Sequence, residues 1–353
     1  MSEQINTQPI DTPQQVIDSW DTLEKRGDNR FVSINYNVLD KLAAQNPDLE
    51  QPDWRIPGLH PDNDWAFATQ IDVADTINYM FLNRNIDRDG EGWVMNDPDT
   101  GKVISGSNAM VARIYQRFGE AEDITADQIE DLANEETFAK FLPGIPMAQS
   151  RMEQLSKYAG GLRHGYGGSV RNLIEASIDE RGNLRLFNDG KGMIERRLGE
   201  EFDGVFVDTN YIDDLAFPHN KRVNLTPILI DGRAQTSQSL PRVADLDKSG
   251  AVPDYRIPQA QRASGEITYS PELAEIVDTW KPIEVNSRAE SEIRGACARA
   301  VFYLLDKINE IRTDSDQEPY NMAHIDFWKW KVGRELKKNG SNSLPHYTET
   351  TAY

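Results

Sequence analysis

The chain has 353 residues, 38% of them hydrophobic and 27% charged, which are the proportions of a folded globular protein rather than a disordered or membrane-embedded one. Its formal net charge of −20 opposes duplex DNA or RNA, whose binding depends on neutralising phosphates with Lys and Arg, whereas a single small nucleotide needs only one or two local cations. The one cysteine, Cys297, excludes an internal disulfide and a Cys-based zinc cluster and fits a reducing compartment.

In chain order, residues 1–12 read as a flexible polar tail without the charged-then-apolar order of a signal peptide. No later stretch reaches the roughly 18 apolar residues of a membrane span, so a cytoplasmic protein without membrane partners is expected. Residues 13–353 read as one domain. Pro13–Glu24 opens with a helix capped by Thr12. Pro47, Pro52, Pro57 and Pro61 then keep residues 45–65, with His60, extended and irregular.

From Trp65, the spacing of Phe67, Ile71, Ala74, Ile77 and Phe81 predicts a helix whose apolar face is interrupted only by Asn78. Residues 84–105, rich in Asp, Gly and Asn, predict a hairpin or long loop. Residues 120–137 predict an acidic, solvated helix. A helix over Ala148–Ala159 is expected to be broken by Gly160, Gly161, Gly165, Gly167 and Gly168 before another over Val170–Ser177. Leu184–Phe187 and Phe202–Val207 suggest short strands. Ile293, Ala296, Cys297, Ala300, Val301, Leu304, Leu305 and Ile308 predict a core helix over Ala289–Ile311. A last helix spans Tyr320–Lys338. The fold class is mainly α, with a small β element.

The candidate chemistry is sparse. Asp87-Arg88-Asp89-Gly90 resembles a calcium loop counted from Asn85, but Asn96 stands where a bidentate Glu is required; the run from Asp245 puts Arg256 there. Acidic turns are the simpler reading of both. The glycines at 160–168 lack the spacing of a phosphate motif. The five histidines, at 60, 164, 219, 324 and 346, show no metal-ligand pairing, and no Gly-x-Ser-x-Gly elbow occurs. Carboxylates, aromatics and a few cations remain, the equipment of glycosyl transfer chemistry and of any acidic surface.

Three groups of segments carry a resemblance. Asp75-Thr76-Ile77-Asn78-Tyr79-Met80-Phe81 follows His60. Asp254-Tyr255-Arg256-Ile257-Pro258-Gln259 is followed by Tyr269-Ser270-Pro271-Glu272-Leu273 and Glu290-Ser291-Glu292-Ile293-Arg294. Ile325-Asp326-Phe327-Trp328-Lys329-Trp330 precedes a tail from Pro345-His346 to Tyr353. In that order they resemble the queuosine salvage proteins, queuosine phosphate N-glycosylases, from about residue 50 to the end.

The resemblance implies a helical fold related to DNA glycosylases and release of queuine from queuosine 5′-monophosphate, or a related 7-deazaguanine nucleotide, without metal or cofactor. It implies Asp254 as the catalytic carboxylate and His60, Lys221, Val252 and Asp326 at or near substrate-contacting positions, with Asn78 and Tyr255 beside them. Lys221 or Arg222 is expected to take the phosphate. The family usually places Phe two positions before its catalytic Asp, where Val252 stands here. Its Lys-Arg-Ala-Gln is Lys221-Arg222-Val223-Asn224, and basic residues of its tail are Tyr347 and Glu349. These departures leave two alternatives open: a non-catalytic nucleoside-binding protein on the same fold, or a glycosylase for another modified nucleotide. Each residue also has an ordinary reading: Asp254 as a helix cap, Asn78 as a buried amide, and Asp326 as a surface partner of Lys329.

Overall fold

The computed structural model describes residues 12–83, 92–96, 101–336 and 340–353. In chain order the elements are α1 (Thr12–Arg26), β1 (Val32–Ile34), α2 (Tyr36–Gln45), α3 (Asp64–Thr76), β2 (Val94–Asn96), β3 (Val103–Ser105), α4 (Gly106–Phe118), α5 (Ala126–Leu132), α6 (Glu135–Phe141), α7 (Ala148–Gly165), α8 (Val170–Glu175), α9 (Met193–Arg197), β4 (Thr209–Ile212), β5 (Leu215–Pro218), α10 (Lys221–Ala234), α11 (Arg256–Ser264), β6 (Ile267–Tyr269), α12 (Pro271–Asp278), α13 (Arg288–Asp314) and α14 (Met322–Glu335). The strands form three separate antiparallel pairs, β1 with β6, β2 with β3 and β4 with β5. One contiguous apolar cluster runs from Val16 to Tyr353.

Two helices organise that cluster. α13 keeps Ile293, Ala296, Cys297, Ala300, Val301, Leu304 and Ile308 buried, and α1, α2, β1, β4, α11 and α14 pack along it. α3 packs against α4, α7, α8 and α10 and is buried from Trp65 to Thr76. Its start is fixed by Asn63, whose Oδ1 accepts from the N–H groups of Trp65 at 2.9 Å and Ala66 at 3.0 Å, a side-chain cap on orphan helix donors. Its buried Asp72 is met by Arg197 and by the Tyr158 hydroxyl, which donates at 2.6 Å.

The helix ends at Thr76, short of the expected Phe81, because three buried cations claim the carbonyls that follow. Arg222 donates to Thr76 O, Arg151 to the carbonyl oxygens of Ile77, Tyr79 and Met80, and Lys221 Nζ to Asn78 O at 3.0 Å. Cations at a helix C-terminus complement its dipole and satisfy its free carbonyls. Asn78 therefore sits beyond the helix, in the turn that closes it.

Other expectations fare variously. α13 and α14 match the expected core and last helices, and residues 337–339 lie outside the described ones. β2 and β3 form the expected hairpin, but the candidate calcium loop at 87–90 lies outside the described residues. Asp245 is buried, its carboxylate accepting from the N–H groups of Leu186 and Phe187. The acidic stretch divides into α5 and α6, which bury Ile129, Leu132, Phe138 and Phe141.

α7 runs through Gly160 and Gly161 to Gly165, because packing overrides glycine's weak helix propensity. Ser169 Oγ caps α8 by accepting from the Asn172 N–H. No strand forms over Leu184–Phe187 or Phe202–Val207; the nearby strands are β4 and β5. No helix of the described residues is long and apolar enough to cross a membrane.

Candidate active site

The end of α3, the start of α10, the loop before α11 and one face of α14 converge on a cavity of about 120 Å³. His60, Asn78, Lys221, Val252, Asp254 and Asp326 all line it. A smaller annex of about 30 Å³ shares Asn78, Lys221 and Asp254 and adds Tyr255. All seven expected residues thus line the cavity or its annex, although His60 and Asp326 lie far apart in the sequence.

Asp254 stands where cavity and annex join. It is half-buried, and its Oδ1 accepts from the N–H groups of Arg256 at 2.7 Å and Ile257 at 3.0 Å, so it caps α11. The ordinary reading of Asp254 as a cap holds, and the cap is what aims it. One oxygen is tied to the helix, and no described residue bonds Oδ2. The loop behind it is fixed on both sides. Arg294 Nε donates to Pro253 O at 3.2 Å, and Asn224 Oδ1 accepts from Gly250 N at 2.9 Å. A Cβ at Gly250 would stand 2.7 Å from Asn224 Nδ2, so only glycine allows that approach.

Asp326 projects from α14 and is 7% exposed. Burial, then the nearby Asp254 carboxylate, push its carboxyl up to about 8, against the pull of Lys221. It is protonated at neutral pH. Lys329, its supposed partner, instead donates to Glu266 at 2.6 Å.

Asp75, which heads a quoted segment but was given no site role from sequence, is a third cavity carboxyl. It accepts from Asn78 Nδ2 and from Thr226 Oγ1, each at 2.9 Å, and burial raises it to about 6. Lys221 faces Asp254, Asp75 and Asp326, while burial lowers its pKa. His60 stacks on Phe67 with ring centroids 5.2 Å apart, and burial followed by Arg233 lowers it to about 4, leaving it neutral.

Arg222 is not at the cavity; it donates to Thr76 O and Val205 O beneath the site. The annex instead offers Arg256 and Arg334 beside Lys221, with Ser107 from the first turn of α4. Sequence reading also missed Trp54, Phe327 and Trp330 on the cavity wall. Phe327 and Trp330 belong to the quoted Ile325–Trp330 segment but were given no site role there, and Trp54 had no signal beyond its type.

The sequence model of the family described as queuosine salvage protein matches residues 198–353. Three relatives bear the name queuosine 5′-phosphate N-glycosylase/hydrolase. The Bos taurus protein is 21% identical over 326 residues, covering 88% of this chain and 89% of the relative. The Schizosaccharomyces pombe protein is 22% identical, covering 92% and 95%. The Nematostella vectensis protein is 23% identical, covering 85% and 86%. The matched segment contains Lys221, Val252, Asp254, Tyr255 and Asp326, and the relatives extend the similarity over most of the chain. The chain is thus similar to the queuosine salvage proteins, at low identity but over most of its length.

Proposed function

We propose that the protein hydrolyses the N-glycosidic bond of queuosine 5′-monophosphate, or a close 7-deazaguanine relative, and releases the base for salvage into tRNA modification. The observation that carries this is the junction at Asp254, which has a largely apolar cavity with aromatic residues in its wall on one side and a cationic annex on the other.

In this reading the ribose lies over Asp254, the base enters the cavity and the phosphate occupies the annex. As the bond between C1′ and the base nitrogen breaks, its electron pair leaves with the base and positive charge grows on the sugar. The Asp254 carboxylate stabilises that charge or attacks C1′. Water supplies the oxygen that C1′ finally bears, and a proton goes to the base. A 7-deazapurine has carbon where a purine has N7, so protonation at that atom cannot assist departure. Asp326, protonated at neutral pH, supplies a donor for another edge of the base.

Arg256, Arg334 and Lys221 supply positive charge for a phosphate monoester. Lys221, Val252, Tyr255, Asn78 and His60 complete the walls. The same reading takes the helical frame as kin to the DNA glycosylases, which also open an N-glycosidic bond.

The test incubates the protein with queuosine 5′-monophosphate, queuosine and ordinary nucleotides, follows free base by chromatography, and includes Asp254→Asn. Release of queuine from the monophosphate ahead of the nucleoside, lost in the variant, is the expected result. Tight binding without release would instead make the protein a nucleoside-binding module. Release only from another nucleotide would change the substrate, and full activity of Asp254→Asn would refute the mechanism.

A further inference from the structure

The cavity has one aromatic wall, and its placement is informative. Val252, next to the Asp254 loop, presents an isopropyl group without a π-face, and Ile71, Leu225 and Leu229 are aliphatic. The planar faces come from two other places. Phe327 and Trp330 project from α14, and Trp54 reaches in from the irregular loop before His60. Trp54 stands edge-on to Phe327, with centroids 4.8 Å apart at 79°, and lies 5.7 Å from Trp330.

Helix α10 makes room for this arrangement. A Cβ at Gly232 would stand 3.0 Å from Trp54 Cδ1 and 3.6 Å from Pro52 O. Glycine inside a helix costs about 1 kcal/mol relative to alanine, so the close seating of the Trp54 loop is achieved against local propensity.

We infer that Trp54, backed by Phe327 and seated on Gly232, is the face on which this protein stacks the base of its substrate, a planar bicyclic heteroaromatic. The inference rests on the glycosidase reading for the identity of the ligand. Its physical content is that base recognition lies on the 46–63 loop and α14, not on the segment that carries Asp254. A base stacked there would be covered by an element separate from the one that handles the sugar. Base affinity and sugar chemistry would then respond to different substitutions.

The test compares wild type, Trp54→Leu and Trp54→Phe. Calorimetric binding is measured for free queuine and for ribose 5-phosphate, alongside steady-state release of base from queuosine 5′-monophosphate. Stacking of a base on an aromatic side chain is strong enough that Trp54→Leu is expected to weaken queuine binding and raise KM by about tenfold. Ribose 5-phosphate affinity and kcat should stay within about twofold, and Trp54→Phe should keep most of the queuine affinity.

Unchanged queuine affinity in Trp54→Leu would overturn the inference. So would equal losses for queuine and ribose 5-phosphate, because that pattern marks general damage to the fold. Wild-type protein that binds queuine but releases none from the nucleotide would sink only the proposed reaction, and the binding comparison would still decide the role of Trp54. Wild-type protein that binds no queuine would overturn both.

Discussion

At the residue scale, Asp254 joins an observed structural duty, the cap on α11, to the chemical one proposed for it, and the two can be separated. Asparagine caps a helix about as well as aspartate, whereas alanine loses the cap at a cost of about 1 kcal/mol. Asp254→Asn should therefore unfold at nearly the wild-type denaturant midpoint yet release base a hundredfold to a thousandfold more slowly, roughly the loss expected for removing a transition-state charge partner. Asp254→Ala should show both defects. Asp326 makes a pH-dependent prediction. Its proton is held to about 8 in the folded protein, so kcat should fall as pH rises through about 8, and Asp326→Asn should lose both most of the rate and that alkaline limb. The stability sign follows from the same shift. The folded state retains a proton that an unfolded Asp releases above about pH 3.9, so this group makes folding less favourable as pH rises toward 8. Denaturant midpoints at pH 5 and pH 9 should therefore differ less in Asp326→Asn than in wild type.

At the scale of elements, the site depends on how closely α14 meets α11. A Cβ at Gly333 would stand 2.9 Å from the Arg256 carbonyl oxygen, a backbone atom that cannot swing aside. Gly333→Ala should destabilise by about 1 to 3 kcal/mol, the usual range for overpacking. It should also slow release from the monophosphate, because Arg256, Arg334 and Asp326 all ride on the two displaced helices; equilibrium unfolding and steady-state rates check this. Element existence was largely legible in the sequence. The apolar stripe from Ile293 to Ile308 gave α13, and the four prolines gave the irregular loop. The short strands expected over 184–187 and 202–207 do not form and the acidic stretch is two helices rather than one; the other errors lay at helix ends. Helix α3 stops at Thr76 because Arg222, Arg151 and Lys221, distant in sequence, capture the carbonyls after it. Helix α7 runs through its glycines because Gly161 lies against Phe202, where a Cβ would come within 2.4 Å of the ring.

At the scale of the whole molecule, Arg294 ties the core helix to the loop that carries Asp254. It makes a two-pronged ion pair with Asp208, 2.6 Å at each oxygen, donates to Asn210 and to Pro253 O, and lies 4.3 Å from the centroid of the Tyr353 ring. Arg294→Ala leaves Asp208 buried and uncompensated, which should cost about 3 to 5 kcal/mol. Chemical denaturation should show that loss, and base release should fall with it because the Pro253–Asp254 segment loses its anchor.

The sequence by itself determined the helical class, the core helix and the family resemblance, and it named seven residues from His60 to Asp326 that line one cavity and its annex, since periodicity and ordered motifs are local properties of a chain. Only the tertiary structure decided that Asp75 joins them, that Arg222 turns inward while Arg256 and Arg334 face the annex, and that Trp54 supplies an aromatic wall. Burial and the meeting of distant side chains set which groups are charged and which face the cavity, and neither is encoded at any single position.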